Sequence, residues 1–215
     1  MEENFVICIG RQLGGGGMEV GRHLARRLGA TLYDKELIDL AARESGLCPS
    51  LFERADERGS KGLFSTLVGY LRAPFTGYEG GNGGNVLAPE ALFKIQSDVI
   101  RDLAARRSCL FVGRCADYIL RDRARTVSLF LTADTADRVA RLCGAHGWTE
   151  REALERMRRV DAERAAYYNY YTGRTWGEAA TYDLCLNTSR LGVGRTVDFI
   201  LEFVAARLEQ NKPTL

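Results

Sequence analysis

The sequence predicts an α/β fold in which helices cover both faces of a parallel sheet. The first observation is that five short strand-like runs alternate with segments of helical periodicity along the chain. The second is that three of these runs are almost continuously apolar, namely Val6–Ile9, Cys109–Val112 and Val127–Leu131. Such runs are typical of strands that are buried on both faces. We therefore expect one domain over residues 1–215.

The elements follow one another in a regular order. The predicted strands are Phe5–Gly10, Ala30–Asp34, Cys109–Gly113, Thr126–Ala133 and Tyr182–Thr188. Apolar residues at helical spacing predict helices through Val20–Leu28, Leu37–Ala41, Ala91–Leu103 and Val197–Leu208. Because each strand is followed by helical sequence, we expect five parallel strands in one sheet.

Two segments interrupt this alternation. The first is an insertion over about residues 45–89, in which Gly77–Asn85 holds five glycines in nine positions. This loop is consistent with a flexible linker or with a loop on the substrate side. The second segment, Thr149–Tyr171, opens with the capping-box spacing of Thr149 and Glu152 and carries five arginines and four tyrosines.

The composition excludes several classes of function. Thirty Lys and Arg residues against 28 Asp and Glu residues give a net charge of +2, which provides no general attraction to nucleic acid or anionic membranes. No apolar stretch is long enough to span a bilayer and no signal segment is visible, so we expect a cytoplasmic protein. The six cysteines show no C-x-x-C pair, which favours reduced structural thiols over zinc ligands or disulfides.

Four consecutive glycines, Gly14–Gly17, follow the first strand and precede a helix. Glycine lets backbone N–H groups approach a ligand closely, and a helix N-terminus adds partial positive charge. Phosphate is therefore the expected ligand.

Two phosphate-binding designs remain open at this loop. The P-loop pattern G-x-x-x-x-G-K-S/T can be aligned on Gly14–Gly16, but Gly17 then replaces the lysine and Glu19 the magnesium-binding hydroxyl. The dinucleotide pattern G-x-G-x-x-G also fails by one residue, although Asp34 ends the second predicted strand as that design requires. The second design would make the protein an NAD-binding oxidoreductase.

Five separated segments, in order, resemble the cytidylate kinase-like family of P-loop proteins. They are Ile7–Glu19, Leu32–Ile38, Phe111–Tyr118, Val160–Tyr168 and Tyr182–Ser189. The resemblance implies a P-loop NTPase-type three-layer sandwich with a five-stranded parallel sheet, a helical insertion and an arginine-rich lid. It also implies magnesium-dependent transfer of the ATP γ-phosphate to a nucleoside monophosphate, with CMP or dCMP favoured.

The resemblance also suggests roles for individual residues. The donor phosphates would be bound by Gly14, Gly15, Gly16, Gly17, Met18 and Glu19. Arg158 and Arg164 would be the lid arginines that neutralise charge in the transition state. The acceptor would be bound by Asp34, Arg114, Asp117 and Asp161.

The missing lysine requires a substitute. We hypothesise that Arg11 supplies the cation and that Glu19 replaces the hydroxyl as a magnesium ligand. The alternative is a catalytically impaired protein that binds nucleotide and acts as a regulator. The expected partners are nucleotides, without nucleic acid or membrane, and the chain is expected to be a monomer or a homodimer.

Overall fold

The computed structural model describes residues 4–34 and 89–209. The predicted helix through Leu37–Ala41, the glycine-rich loop Gly77–Asn85 and nearly all of the predicted insertion lie outside the described residues. Those three expectations, and the assignment of the whole chain to one domain, stay predictions.

Five parallel strands form one sheet, as predicted. They are β1 (Val6–Arg11), β2 (Thr31–Tyr33), β3 (Cys109–Val112), β4 (Thr126–Thr132) and β5 (Leu184–Asn187). Their order across the sheet is β2-β3-β1-β4-β5, and every pairing is parallel. The dinucleotide-binding fold places the second strand directly beside the first, whereas β3 separates them here. The strand order therefore excludes the dinucleotide-binding fold, on which the oxidoreductase alternative depended.

Helices cover both faces of this sheet. They are α1 (Gly17–Leu28), α2 (Pro89–Arg106), α3 (Ala116–Ile119), α4 (Thr135–His146), α5 (Glu150–Thr172) and α6 (Thr188–Glu209). A 3₁₀ turn, Ala179–Thr181, precedes β5, and α6 bends at Gly192, where φ is 70°. Among the described residues, no helix combines the length and the apolar character needed to cross a membrane.

The alternation of side chains along β1 divides the core in two. Val6 and Cys8 face a cluster that α2, α3 and the end of α5 complete, whereas Ile7 and Ile9 face α1 and α6. All four side chains are at most 2% exposed. Burial on both faces explains the unbroken apolar run. Because β1 pairs in parallel with β3 and β4, the carboxyl ends of these three strands lie at one edge of the sheet.

The capping box predicted at the start of α5 is present. Thr149 Oγ1 accepts a hydrogen bond from the Glu152 N–H at 3.3 Å, and Glu152 Oε2 accepts one from the Thr149 N–H at 2.8 Å. These bonds satisfy backbone donors that a helix end otherwise leaves without partners.

We expect Thr149→Ala to lower the free energy of unfolding by about 1 kcal/mol, because it removes the N-cap acceptor. Thr135→Ala is the control, since Thr135 is an exposed first-turn residue of α4 that follows the N-cap Asp134. Urea denaturation of both variants measures the difference. Equal losses for the two substitutions would contradict a specific contribution from the capping box.

Candidate active site

The glycine loop connects β1 to α1 at the carboxyl edge of the sheet. Gly14 and Gly16 adopt left-handed backbone conformations, with φ of 74° and 77°. A Cβ on Gly14 would also lie 2.9 Å from the carbonyl oxygen of Arg138. Helix α1 begins at Gly17, and no side chain caps its N-terminus. The loop thus combines a tight backbone turn with an uncapped helix N-terminus, which suits it to bind an anion.

The side chain of Arg11 runs from this loop to the neighbouring strand β3. A Cβ on Gly17 would lie 2.6 Å from Arg11 Cβ, and a Cβ on Gly113 would lie 2.2 Å from Arg11 Nη1. The aliphatic part of Arg11 therefore passes Gly17, and its guanidinium lies against Gly113 at the carboxyl end of β3. A lysine side chain at position 17 would have to start in space that Arg11 already fills.

Positive charge is concentrated around the Arg11 guanidinium. Burial, followed by the nearby guanidiniums of Arg164 and Arg114, lowers the pKa of Arg11 to about 9, while Asp34 and Asp161 act in the opposite direction. At neutral pH the group still carries its charge. Like charges held this close disfavour one another, and a bound anion relieves that repulsion.

Arg114 reaches this edge through a turn of unusual backbone conformation. Gly113, Arg114 and Cys115 are consecutive left-handed residues, with φ of 85°, 59° and 55°. For a residue other than glycine this conformation costs about 1–2 kcal/mol. Gln96 supports the turn, because its Nε2 donates to the Arg114 carbonyl oxygen at 3.2 Å. The Arg114 guanidinium lies 5.6 Å from the centre of the Tyr167 ring. Backbone strain of this kind collects at functional sites.

Three predicted site residues, Arg158, Asp161 and Arg164, lie on α5, and two of them contact residues 11–13, which lead into the glycines. Arg164 Nη1 donates to the Arg11 carbonyl oxygen at 3.1 Å, and Asp161 Oδ1 accepts a hydrogen bond from the Leu13 N–H at 2.8 Å. Arg158 is exposed on the surface of α5. The structure thus brings Arg11, Arg114, Asp161 and Arg164 together, with Asp34 at the end of β2 close enough to influence Arg11.

The hydroxyl position of the P-loop pattern falls on Met18, one residue before Glu19, where we expected it. In the P-loop pattern the hydroxyl residue directly follows the lysine position, which is Gly17 here. That residue is Met18, and its side chain packs against the core, whereas Glu19 follows it and is exposed. Magnesium commonly takes one or two carboxylates together with substrate phosphates and waters. Glu19, the acidic residue of the first turn of α1, fits a single-carboxylate site of this kind.

Asp117 lies apart from the glycine loop. Its Oδ2 accepts a hydrogen bond from Tyr168 Oη at 2.6 Å, and burial raises the pKa of the carboxyl group above its ordinary value. It lines a cavity of about 560 Å³ together with Thr126 and Ser128 from the first half of β4. The glycine loop instead borders the other end of that strand, because the Gln12 N–H donates to the Leu131 carbonyl oxygen.

Two arginines of α4, which the sequence did not reveal as site residues, donate hydrogen bonds to backbone carbonyl oxygens at the start of the glycine loop. Arg138 Nε donates to the Leu13 carbonyl oxygen at 2.7 Å, and Arg141 Nη1 donates to the Gly14 carbonyl oxygen at 3.0 Å. Thr188 at the start of α6 adds a hydrogen bond from Oγ1 to the Gly15 carbonyl oxygen at 3.1 Å. The available signal was the three-residue spacing of Arg138 and Arg141, which places both on one face of a helix.

The family to which the chain belongs follows from its sequence. The profile of the cytidylate kinase-like family matches residues 6–190, which include every residue of the site described above. The chain belongs to the cytidylate kinase-like family. No curated protein shows significant sequence similarity to it.

Solved structures agree with this assignment. This cytidylate kinase-like chain is similar to an uncharacterized protein from Eubacterium ventriosum ATCC 27560, with 26% identity, a TM-score of 0.72 and coverage of 95% of this chain and 100% of that one. A gluconokinase from Sinorhizobium meliloti 1021 shares the fold at 13% identity, with a TM-score of 0.52 and coverage of 98% and 97%. A shikimate kinase from Bacteroides thetaiotaomicron does so at 14% identity, with a TM-score of 0.50 and coverage of 94% and 98%. The fold is that of P-loop kinases, and the family and fold together support a kinase-like phosphotransferase.

Proposed function

We propose that this protein transfers the γ-phosphoryl group of ATP to a nucleoside monophosphate, with CMP or dCMP preferred. The family supports the reaction class, and the preferred acceptor rests on the family resemblance alone. The observation that carries the proposal is the path of Arg11, whose side chain starts beside Gly17, the lysine position of the P-loop pattern, and extends to Gly113. This path supports Arg11 as the cation that substitutes for the lysine. We further propose that the protein acts on free nucleotides in the cytoplasm as a monomer or homodimer.

Phosphoryl transfer requires mainly that the protein position the reacting groups and supply positive charge around the transferred phosphoryl group. In the proposed site the backbone N–H groups of Gly14, Gly16 and Gly17 hold the donor phosphates. The Gly15 N–H already donates to the Gln12 carbonyl oxygen at 3.1 Å. Arg114 holds the acceptor phosphate. The Arg11 guanidinium lies between these two groups and neutralises charge on the phosphoryl group as it moves. Arg164 adds a second positive charge from α5, and Asp34 orients the acceptor.

The bonds change at the terminal phosphate. An oxygen of the acceptor phosphate forms a bond to the γ-phosphorus, and the bond from that phosphorus to the β–γ bridging oxygen breaks, leaving ADP. Because the attacking phosphate is already ionised, no side chain has to remove a proton. Magnesium, when bound, neutralises charge on the donor phosphates, and Glu19 is the residue that would hold it.

A catalytically impaired nucleotide-binding protein is the second candidate. The absence of both the lysine and the hydroxyl, with Gly17 and Met18 in their places, favours it. The two candidates differ in turnover, since both require that the glycine loop bind nucleotide.

The test is ADP formation from ATP and magnesium with CMP, dCMP, UMP, AMP, GMP or no acceptor. We expect ADP formation that depends on the acceptor and is fastest with CMP or dCMP. Stabilisation of the protein by ATP without ADP formation in any reaction would favour the regulatory candidate. A protein that neither binds ATP nor forms ADP would contradict both candidates.

A further inference from the structure

Asp161 meets Arg138 beneath the glycine loop. Asp161 Oδ1 accepts a hydrogen bond from the Leu13 N–H at 2.8 Å, and its Oδ2 forms an ion pair with Arg138 Nη2. The exposed fractions of the two side chains are 15% for Asp161 and 8% for Arg138. A carboxylate from α5 and a guanidinium from α4 thus converge on one residue of the loop.

The contacts form a closed ring around Leu13. Arg138 Nε donates to the Leu13 carbonyl oxygen at 2.7 Å, so both backbone polar groups of that residue are bound. The segment that follows, Gly14–Gly17, has no side chains of its own, and glycine is the residue with the greatest backbone freedom. The shape of the loop therefore depends on how its entry at Leu13 is held.

The Asp161 carboxylate has little capacity left for a substrate. Besides the Leu13 N–H and Arg138, it faces Arg164 Nη1 at 3.6 Å from its Oδ1. Two hydrogen-bond donors and one further guanidinium thus surround a group that offers about four acceptor positions. Both carboxylate oxygens are therefore already engaged within the protein.

We propose that Arg138 and Asp161 are positioning residues that hold the glycine loop in its phosphate-binding shape. The inference rests on the proposed function and deepens it. It moves Asp161 from the acceptor site, to which the family resemblance assigned it, to the support of the donor site. It also makes α5 a fixed part of the loop structure, because the helix contributes the carboxylate that binds Leu13.

The test compares Asp161→Asn, Arg138→Met and the double variant with the control Glu163→Gln. Glu163 lies on the same helix and pairs with Arg159 at 3.5 Å, so its substitution removes a carboxylate charge from α5 and leaves the hydrogen bonds of Asp161 and Arg138 to Leu13 in place. We expect each single variant to raise the Kd for ADP about tenfold or more, because small displacements of a binding group are costly. The KM for the acceptor and all values for the control should stay within about twofold.

The double variant guards against loss of folding in the single variants. It removes both members of the Arg138–Asp161 pair, so neither of the two is left as a buried charge without the other, which is the situation that destabilises most. Because Arg138 and Asp161 act as one unit, its ADP affinity should be no weaker than that of the worse single variant. An Asp161→Asn protein with a raised acceptor KM and unchanged ADP affinity would return Asp161 to the acceptor site and overturn the proposal.

Hydrogen exchange of the Leu13 amide tests this proposal independently of the proposed function. It needs no ligand and no turnover, and we expect faster exchange in Asp161→Asn and in the double variant than in wild type or Glu163→Gln. If the wild-type protein forms no ADP with any acceptor, the kinase proposal fails. The exchange rate of the Leu13 amide then still tests whether Asp161 and Arg138 position the loop. Unchanged exchange in both variants would overturn that role.

Discussion

Substitution of Arg11 by alanine is expected to lower kcat/KM for ADP formation about 10³-fold, the loss typical when a transition-state arginine is removed. The Arg11 guanidinium lies against Gly113 at the carboxyl edge of the sheet. In the proposed mechanism, its loss removes the cation that neutralises charge on the moving phosphoryl group. Arg11→Ala should change the free energy of unfolding little, because burial and two neighbouring guanidiniums already disfavour the charge on Arg11. Initial rates with saturating acceptor and urea denaturation measure both effects.

Two further substitutions make the Arg11 result specific. Arg11→Lys keeps a positive charge but loses the planar guanidinium, so it should retain more activity than Arg11→Ala. Arg27→Ala removes an exposed arginine from the last turn of α1, where it pairs with Asp198. It should leave kcat/KM within about twofold. Activity of Arg11→Ala equal to wild type would contradict the proposed role of Arg11.

Gly113→Ala is expected to have nearly as large an effect without touching a charged residue. The new Cβ would lie 2.2 Å from Arg11 Nη1, so the guanidinium must leave its position. The φ of 85° adds backbone strain, and together we expect kcat/KM to fall about 10²-fold or more. The same kinetic assay measures it.

Gly147→Ala is the matched control for Gly113→Ala. Gly147 has a φ of 69°, but a Cβ there would meet no atom within 4 Å. Gly147→Ala should lower the free energy of unfolding by about 1–2 kcal/mol with no loss of activity. The double variant Arg11→Ala/Gly113→Ala should be no less active than Arg11→Ala alone, since both changes remove the same group. Additive losses would show that Gly113 acts independently of Arg11.

The sheet could be predicted from the sequence because its signal is local. β1, β3 and β4 are buried on both faces, and the resulting apolar runs stand out against the helical segments around them. The glycine loop is also a local signal, because consecutive glycines between a strand and a helix favour a phosphate site. Arg11 could be proposed from the missing lysine at position 17.

The contacts of the site could not be predicted in the same way. Arg138 and Arg141 hold carbonyl oxygens that lie more than a hundred positions earlier in the chain, and ordinary surface arginines share their spacing. Asp117 follows Arg114 by three residues, yet the left-handed conformation of Arg114 and Cys115 turns the chain so that Asp117 meets Tyr168 instead. Glycine patterns likewise do not reveal that one arginine fills the space beside both Gly17 and Gly113.

The most direct test of the central claim is a crystal structure with magnesium and a non-hydrolysable ATP analogue. We expect an Arg11 guanidinium nitrogen within hydrogen-bonding distance, about 2.7–3.2 Å, of a β- or γ-phosphate oxygen. The phosphates should lie against the backbone N–H groups of Gly14, Gly16 and Gly17. A complex in which these N–H groups hold the phosphates while Arg11 stays out of contact with them would contradict the claim that Arg11 replaces the lysine.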